Sequence, residues 1–395
     1  MVTYHGLENR LNELGLTRSD LTRKLGISSR TVAKIAKGEK LSEGTLDKIA
    51  SFLDCDPSGL MEDPETVKET ASLERITGSS GMKKVVIFGG GTGISAILTG
   101  LKLFPLEVTA VIAVSDDGSS TGVLKEELDI PAVGDLGKVL LAMNNVDEDF
   151  VRLLSYRFRK SGSLQNHPVR NILLAALIDL KGDLTEAAKY MGGLLKVKGT
   201  VLPLTEEKVE LIGYGDQRAY VGEVAVSSHI KDIEYLTYDH PIKVNREVVS
   251  KVLDADLIVF SPGSLYTSII PHLIAREVRD ALEETPAPIM YISNLVTQPG
   301  ETDGYSVGDH IKVLNKYLKG RKVDMVIANS GTVAPEIAAA YRIKENKYKV
   351  ELDREEIEAQ GAKILADDLI KIDLDLGTIV HDELKTAYIV FSSLM

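Results

Sequence analysis

Two kinds of residue stand at positions where a chain could do chemistry: clustered glycines and paired acids. "KKVVIFGGGTGISAILTGL", residues 83–101, runs from an apolar strand through Gly89, Gly90, Gly91, Thr92 and Gly93 into an apolar helix. Bare backbone at a strand-to-helix turn lets N–H groups approach a phosphate at the helix start. The spacing departs from Gly-x-Gly-x-x-Gly and has no Walker A lysine, so alone it indicates an anion of unspecified kind. "VIAVSDDGSSTG" follows the next strand and sets Asp116 and Asp117 where a Rossmann-like fold carries a ribose-binding acid, with Ser119 and Ser120 as hydroxyl donors. Neighbouring side chains on extended backbone diverge, so one aspartate faces the ligand and the other caps the turn or holds a cation. "VFSPGSLYTSIIP" offers a third turn of small residues at Ser261–Ser264, with Pro271 suited to a first helical turn. "SNLVTQPGETDGYS" leaves a strand at Asn294 and supplies Glu301 and Asp303 before Ser306, which pairs with Asp309 as a capping box. Four polar loops at strand ends imply one composite site. No Ser-His-Asp order or His-rich metal spacing accompanies them.

The elements that must hold these loops are apolar strands alternating with helices. "KVVIF", "VTAVIAV", "ADLIVF", "PIMYISNL" and "VDMVIAN" are continuous apolar runs of the kind buried on both faces. Helical patterns such as "NILLAALIDL", "IAREVRDALEE" and "VGDHIKVLNKYL" separate several of them. The fold class is α/β: doubly wound, with a mostly parallel Rossmann-like sheet and helices on both sides. Residues 196–250, from "VKGTVLPL" to "HIKDIEYLTY", read as a small antiparallel insertion.

Ahead of this lies a small helical unit, residues 1–62, in which Leu21, Leu25, Val32, Ile35, Leu46, Ile49 and Leu53 recur at helical spacing. Gly26 breaks the pattern and Ser28 can cap the next helix, the proportions of a helix-turn-helix. Over roughly residues 6–62 it resembles the DNA-binding domains of the Cro and phage-repressor family, with Arg30, Thr31 and Lys34 on the recognition helix. Arg18 to Lys40 is locally basic, but residues 1–62 balance nine Lys and Arg against nine Asp and Glu, so DNA binding and a vestigial or dimerising role both stay open. Residues 63–81, ending in Gly-Ser-Ser-Gly, read as a flexible linker, and Met82 looks like an original start, so the helical unit reads equally as a fusion partner. The remaining domain is residues 82–395.

A formal net charge of -12 disfavours global binding to nucleic acid or anionic membrane. The lone Cys55 excludes an internal disulfide and suits a reducing, cytoplasmic setting. The uncharged stretch Val85–Leu101 is too rich in glycine for a spanning helix.

"GGGTG", "DDGSS", "DIPAVGD", "HPVRNILLAAL", "SPGSLYTSIIP" and "SNLVTQPGETDGYS" resemble, in order and spacing, the YvcK-like gluconeogenesis factors, the bacterial branch of the fold shared with 2-phospho-L-lactate transferase. The resemblance implies a nucleotide-binding domain with UDP-sugars such as UDP-N-acetylglucosamine as ligands and a regulatory role linking carbon metabolism to envelope synthesis and cell shape. The transferase relatives imply an alternative, phospholactyl transfer to a deazaflavin hydroxyl with magnesium, for which Asp116 or Asp117 would hold the ion and Asp135 take a proton. A metabolite-sensing DNA-binding regulator is a third reading, and a homo-oligomer is expected. By position, the ligand contacts implied are Gly90, Gly91, Thr92, Gly93, Asp116, Asp117, Ser119, Ser120, Asp135, His167, Asn171, Gly263, Ser264, Thr267 and Asn294. Two departures mark this chain: Gly137 and Lys138 stand where the resembled family carries Arg and Asn, and Arg170 stands where it carries Gly. Arg170 is therefore expected to supply the guanidinium that position 137 lacks, provided both helix starts border one pocket. His167 either packs at its helix start or meets the ligand, and His381 reads as structural.

Overall fold

The computed structural model describes residues 81–159, 162–215, 217–373 and 378–395, together with residues 4, 7, 10, 11, 16–53, 55, 57 and 60 ahead of them. The chain divides into two compact units, Met1–Gly81 and Met82–Met395. Residues 63–80, most of the expected linker, lie outside the described residues.

In the first unit α1 (Arg18–Leu25), α2 (Ser29–Ala36) and α3 (Glu43–Leu53) follow each other through short turns. Thr17 and Asp20 form a capping box on α1, and Gly26 ends it in the left-handed conformation at φ 68°. Ser28 then accepts from the Thr31 N–H at 3.2 Å and starts α2. Leu21, Ile35, Leu46, Ile49 and Leu53 close the core with Leu7 and Leu11. Arg30, Lys34 and Lys37 stay exposed on and beside α2.

In the second unit β1 (Lys83–Gly89), β2 (Leu106–Ile112), β3 (Thr200–Pro203), β7 (Leu257–Phe260), β8 (Ile289–Ile292), β9 (Met325–Asn329) and β10 (Lys363–Asp367) form one parallel sheet in the order β10-β9-β8-β7-β1-β2-β3. From β1 the chain winds outward through β2 and β3, then returns to the other side of β1 and winds outward again. The strand order therefore reverses between β1 and β7, and crevices form at such a switch point. Helices fill the crossovers: α4 (Gly91–Leu101), α5 (Ser119–Leu128), α6 (Gly134–Ala142), α7 (Glu148–Ser155), α8 (Val169–Lys181) and α9 (Leu184–Leu194) precede β3. The central strands are buried along their length, Val85 to Phe88 and Leu257 to Phe260 alike, because helices cover both faces.

Between β3 and β7 lies the insertion, with β4 (Leu211–Gly215), β5 (Arg218–Val221) and β6 (Tyr235–Tyr238) in an antiparallel sheet of order β5-β4-β6 and α10 (Glu223–Ser228) after β5. "VKGTVLPL" is not part of it: its strand β3 runs parallel to β2, with Val201 opposite Ala110, and gives the main sheet its edge. A four-residue strand beside turn glycines carries too little pattern to reveal its partner. The insertion is tied down by Lys125 of α5, a fully buried ammonium 2.5 Å from Glu210 beside β4. After β7 come α11 (Ile270–Ile274), α12 (Arg276–Glu284), α13 (Val307–Leu318), α14 (Pro335–Glu345) and α15 (Arg354–Ala359). The chain ends on the antiparallel pair β11 (Ile370–Asp373) and β12 (Thr378–His381) and on α16 (Glu383–Ser392). Among the described residues no helix is long and apolar enough to cross a membrane.

Candidate functional site

Everything that points to a ligand gathers at the carboxyl ends of β1, β2, β7 and β8. Gly90 precedes the first turn of α4 with no side-chain cap, so the amides of Gly91, Thr92 and Gly93 form a bare helix start. Gly91 sits at φ 64°, in the left-handed region that suits glycine. Gly93 is required for a different reason: a Cβ there would overlap the Pro262 carbonyl in the loop after β7. These two loops pack backbone to backbone across the switch point. A crevice of about 570 Å³ opens beside them, lined by Gly90, Gly91, Thr92, Gly93, Gly263, Ser264 and Asn294 among others.

Side chains hold the far wall in shape. Asn294 accepts from the Gly263 N–H at 2.8 Å and donates its amide to the Gly263 carbonyl at 2.7 Å, fixing a glycine at φ 146°. Its amide is thus committed to the loop, and Asn294 serves the crevice as a brace. The Ser264 hydroxyl accepts from the Thr267 N–H at 3.1 Å and donates to Glu301 Oε1 at 2.5 Å. Burial pushes the Glu301 carboxyl up to about 7. Tyr266 is tied to Tyr305 through their hydroxyls at 3.0 Å, a packed position rather than an open stacking face.

A second cavity, about 230 Å³, opens from the first around Gly91, Thr92 and Ser268 and is lined by Asp116, Asp135, Lys138, Glu223 and Thr267. Asp116 Oδ1 accepts from the Gly118 N–H at 2.9 Å, while burial and the nearby Asp135 hold its pKa above the ordinary carboxylate value. Asp117 turns the other way and accepts from the Val224 N–H at 3.1 Å at the start of α10. The two aspartates therefore divide their work as extended backbone dictates: Asp116 faces the cavity and Asp117 caps. The expected metal pair Asp116 and Asp117 does not converge, and among the described residues no group of three or more His, Cys, Asp or Glu is placed to hold a metal ion. Glu223 comes from the insertion; burial first, and then Asp116, push it up to about 7, against a hydrogen bond from Thr267. Lys138 pairs with Asp135 at 2.9 Å.

Behind Asp135 lies the start of α8. His167 is buried and its Nδ1 meets the Ser120 hydroxyl at 2.8 Å, so both side chains join α5 to α8 and neither lines the crevice. The Ser119 side chain lies outside the described residues. Arg170 is only 7% exposed, and a Cβ at Gly137 would come within 3.3 Å of its Cδ: the stem of Arg170 lies over Gly137. Arg170 Nε and Asn171 Oδ1 are buried without a hydrogen-bond partner among the described residues; burial first, and then the charge of Arg157, lower the Arg170 pKa against the opposing pull of Asp135. Sequence reasoning missed Glu223, whose only local signal was "VGEVAV" opening a helix inside the insertion, and Ser268. His381 borders the crevice, although its Nε2 is held by the Ser293 carbonyl at 3.0 Å and burial lowers its pKa to about 4.

A family model described as 2-phospho-L-lactate transferase CofD matches residues 85–370. The gluconeogenesis factor of Bacillus subtilis is 38% identical over 307 residues, covering 77% of this chain and 96% of that protein. The chain belongs to the CofD-like family of gluconeogenesis factors. A gluconeogenesis factor of Halalkalibacterium halodurans is 36% identical over 288 residues, covering 72% of this chain and 89% of its own. A crystal structure of a Bacillus halodurans protein shares the fold at a TM-score of 0.75 and 33% identity, covering 78% of this chain and 99% of that one. Ahead of the family domain, a Cro/C1-type HTH DNA-binding domain model matches residues 6–65.

Proposed function

We propose that the gluconeogenesis-factor unit is a cytoplasmic regulatory receptor for a nucleotide sugar, with a UDP-sugar as the ligand and carbon flux into envelope synthesis and cell shape as the process it reports on. The observation that carries the reading is the switch-point crevice: uncapped amides at Gly91–Gly93 face a wall of small residues braced by Asn294, and a hydroxyl-accepting chamber adjoins it. Backbone donors suit a diphosphate and carboxylates suit sugar or ribose hydroxyls. Gly90, Gly91, Thr92, Gly93, Gly263 and Ser264 would border the diphosphate; Asp116, Asp135 and Thr267 would meet hydroxyls. Arg170 would add a cation behind Asp135. Calorimetric titration of the full chain with UDP, UDP-glucose and UDP-N-acetylglucosamine tests it. Micromolar binding of the sugars is expected, and no heat with any of them ends the reading.

Phospholactyl transfer is the second reading, favoured by a carboxyl near neutrality in the chamber: Glu223, raised to about 7, is poised to take a proton from an acceptor hydroxyl. Turnover of an activated lactyl nucleotide with a deazaflavin acceptor would make it the first. The helix-turn-helix unit supports DNA binding through Arg30 and Lys34, to be read as a salt-dependent gel shift with genomic fragments. A homo-oligomer belongs to the same reading, and sedimentation equilibrium decides it.

A further inference from the structure

Three cavities meet end to end along the carboxyl edge of the sheet, and their chemistry differs. The central crevice is walled by glycines and small polar residues. Toward β9 it shares Val296, Lys347 and Ile379 with a hollow of about 360 Å³, whose other walls include Val333, Pro335 and Ala339 and the aromatic Tyr341 and Tyr348. Toward β2 it shares Gly91, Thr92 and Ser268 with the carboxylate chamber of about 230 Å³. From β2 to β9 are four inter-strand steps of about 4.8 Å, a span of roughly 19 Å. That span suits a ligand with two different ends joined by an anionic middle.

We propose that a nucleotide sugar lies across the switch point with its base in the apolar hollow beside β9 and its hydroxyl-bearing sugar in the carboxylate chamber beside β2. The inference rests on the nucleotide-sugar reading and adds a direction to it. A base is flat and largely apolar on its faces, and it gains by leaving water for Val, Pro and Tyr walls. A hexose presents a ring of hydroxyl donors, and Asp116, Asp135 and Glu223 are acceptors. The reverse placement would set a base among three carboxyl groups in the smaller cavity and strip them of hydration without returning their hydrogen bonds. Arg342 and Lys349 border the hollow, and Lys347, paired with Glu345 at 2.6 Å, lines both the hollow and the crevice where the diphosphate would leave the base. Asp116 then contacts the sugar, in contrast to the ribose contact that a Rossmann-like chain order suggests.

The test is calorimetric titration of the full chain with two probes, UDP and UDP-N-acetylglucosamine, in two variants. Ala338 is an exposed lining residue of the hollow on α14, so Ala338→Trp fills it without disturbing the core. Ala338→Trp is expected to weaken both probes by about tenfold or more, whereas Glu223→Gln weakens UDP-N-acetylglucosamine about three- to tenfold and leaves UDP unchanged. Glu223→Gln weakening UDP equally, or Ala338→Trp leaving UDP untouched, overturns the orientation. Should the unmodified chain bind neither probe, the nucleotide-sugar reading falls and takes the orientation with it; should it bind both and ignore both substitutions, only the orientation falls.

Discussion

Beside β1 and β7 the crevice is walled by main chain: Gly93 lies against the Pro262 carbonyl and Gly263 is held from both sides by Asn294. Beside β2 it is walled by side chains, Asp116, Asp135 and Glu223, delivered from three separate segments. The contrast teaches that one flank gets its shape from steric necessity and the other its character from charge. Substitutions on the first flank should change stability and binding together. On the second they should change binding or its pH dependence while the fold persists.

Gly93→Ala should break the contrast hardest. The new methyl meets backbone that cannot yield, and overpacking of that kind costs about 3 kcal/mol. Denaturant titration reads the loss, and an unchanged midpoint would mean that the two loops are free to part. Asn294→Ala comes next: two hydrogen bonds to Gly263 disappear, and about 2 kcal/mol of stability should go with them. Arg170→Ala sits on the other flank and should behave oppositely. Removing a buried guanidinium with an orphaned Nε leaves stability unchanged or raised, while nucleotide-sugar affinity falls about tenfold, worth 1.4 kcal/mol by the usual conversion. Unchanged affinity would dismiss the compensation for Gly137. The smallest effect is the pH dependence of Glu223. Its folded pKa, about 7, lies above the ordinary 4.5, so the folded chain keeps a proton that the unfolded chain has already lost. Its contribution to stability is therefore full below about pH 4.5 and is lost as pH rises through about 7. Glu223→Gln should flatten that decline by about 1 kcal/mol, discounted for the water that shares the chamber. Parallel stability curves for the two proteins between pH 5 and 8, a window of about the stated pKa range, would remove the carboxylate field from the account.

How far the sequence revealed this follows the same division. Glycines at strand ends announce themselves, because few other roles need so many in a row, and the apolar runs of β1, β2, β7, β8 and β9 state a parallel sheet directly. The Ser306–Asp309 capping box was equally plain and forms as read, with the Ser306 hydroxyl accepting from the Asp309 N–H at 3.1 Å. The divergence of Asp116 from Asp117 followed from strand geometry alone. Glu223 did not, since it reaches Asp116 across more than a hundred residues through an insertion whose strands are short and ambiguous. His167 and Ser120 illustrate the converse: both sit in motif positions, yet the His167 Nδ1 and the Ser120 hydroxyl meet each other. Position in a motif says which loop a residue belongs to, and only packing says whom it faces.

The Lys125–Glu210 contact sets a limit on motion. The Lys125 ammonium has no exposure to water and its one ion-pair partner among the described residues, Glu210, belongs to the insertion, so the pair joins α5 to that insertion. The antiparallel insertion is thereby tethered to the helix that follows the Asp116–Asp117 loop. Together with the Asp117 cap on α10 it keeps Glu223 stationed over the acid chamber before any ligand arrives. The third carboxyl group of that chamber is thus supplied by an element held at two points.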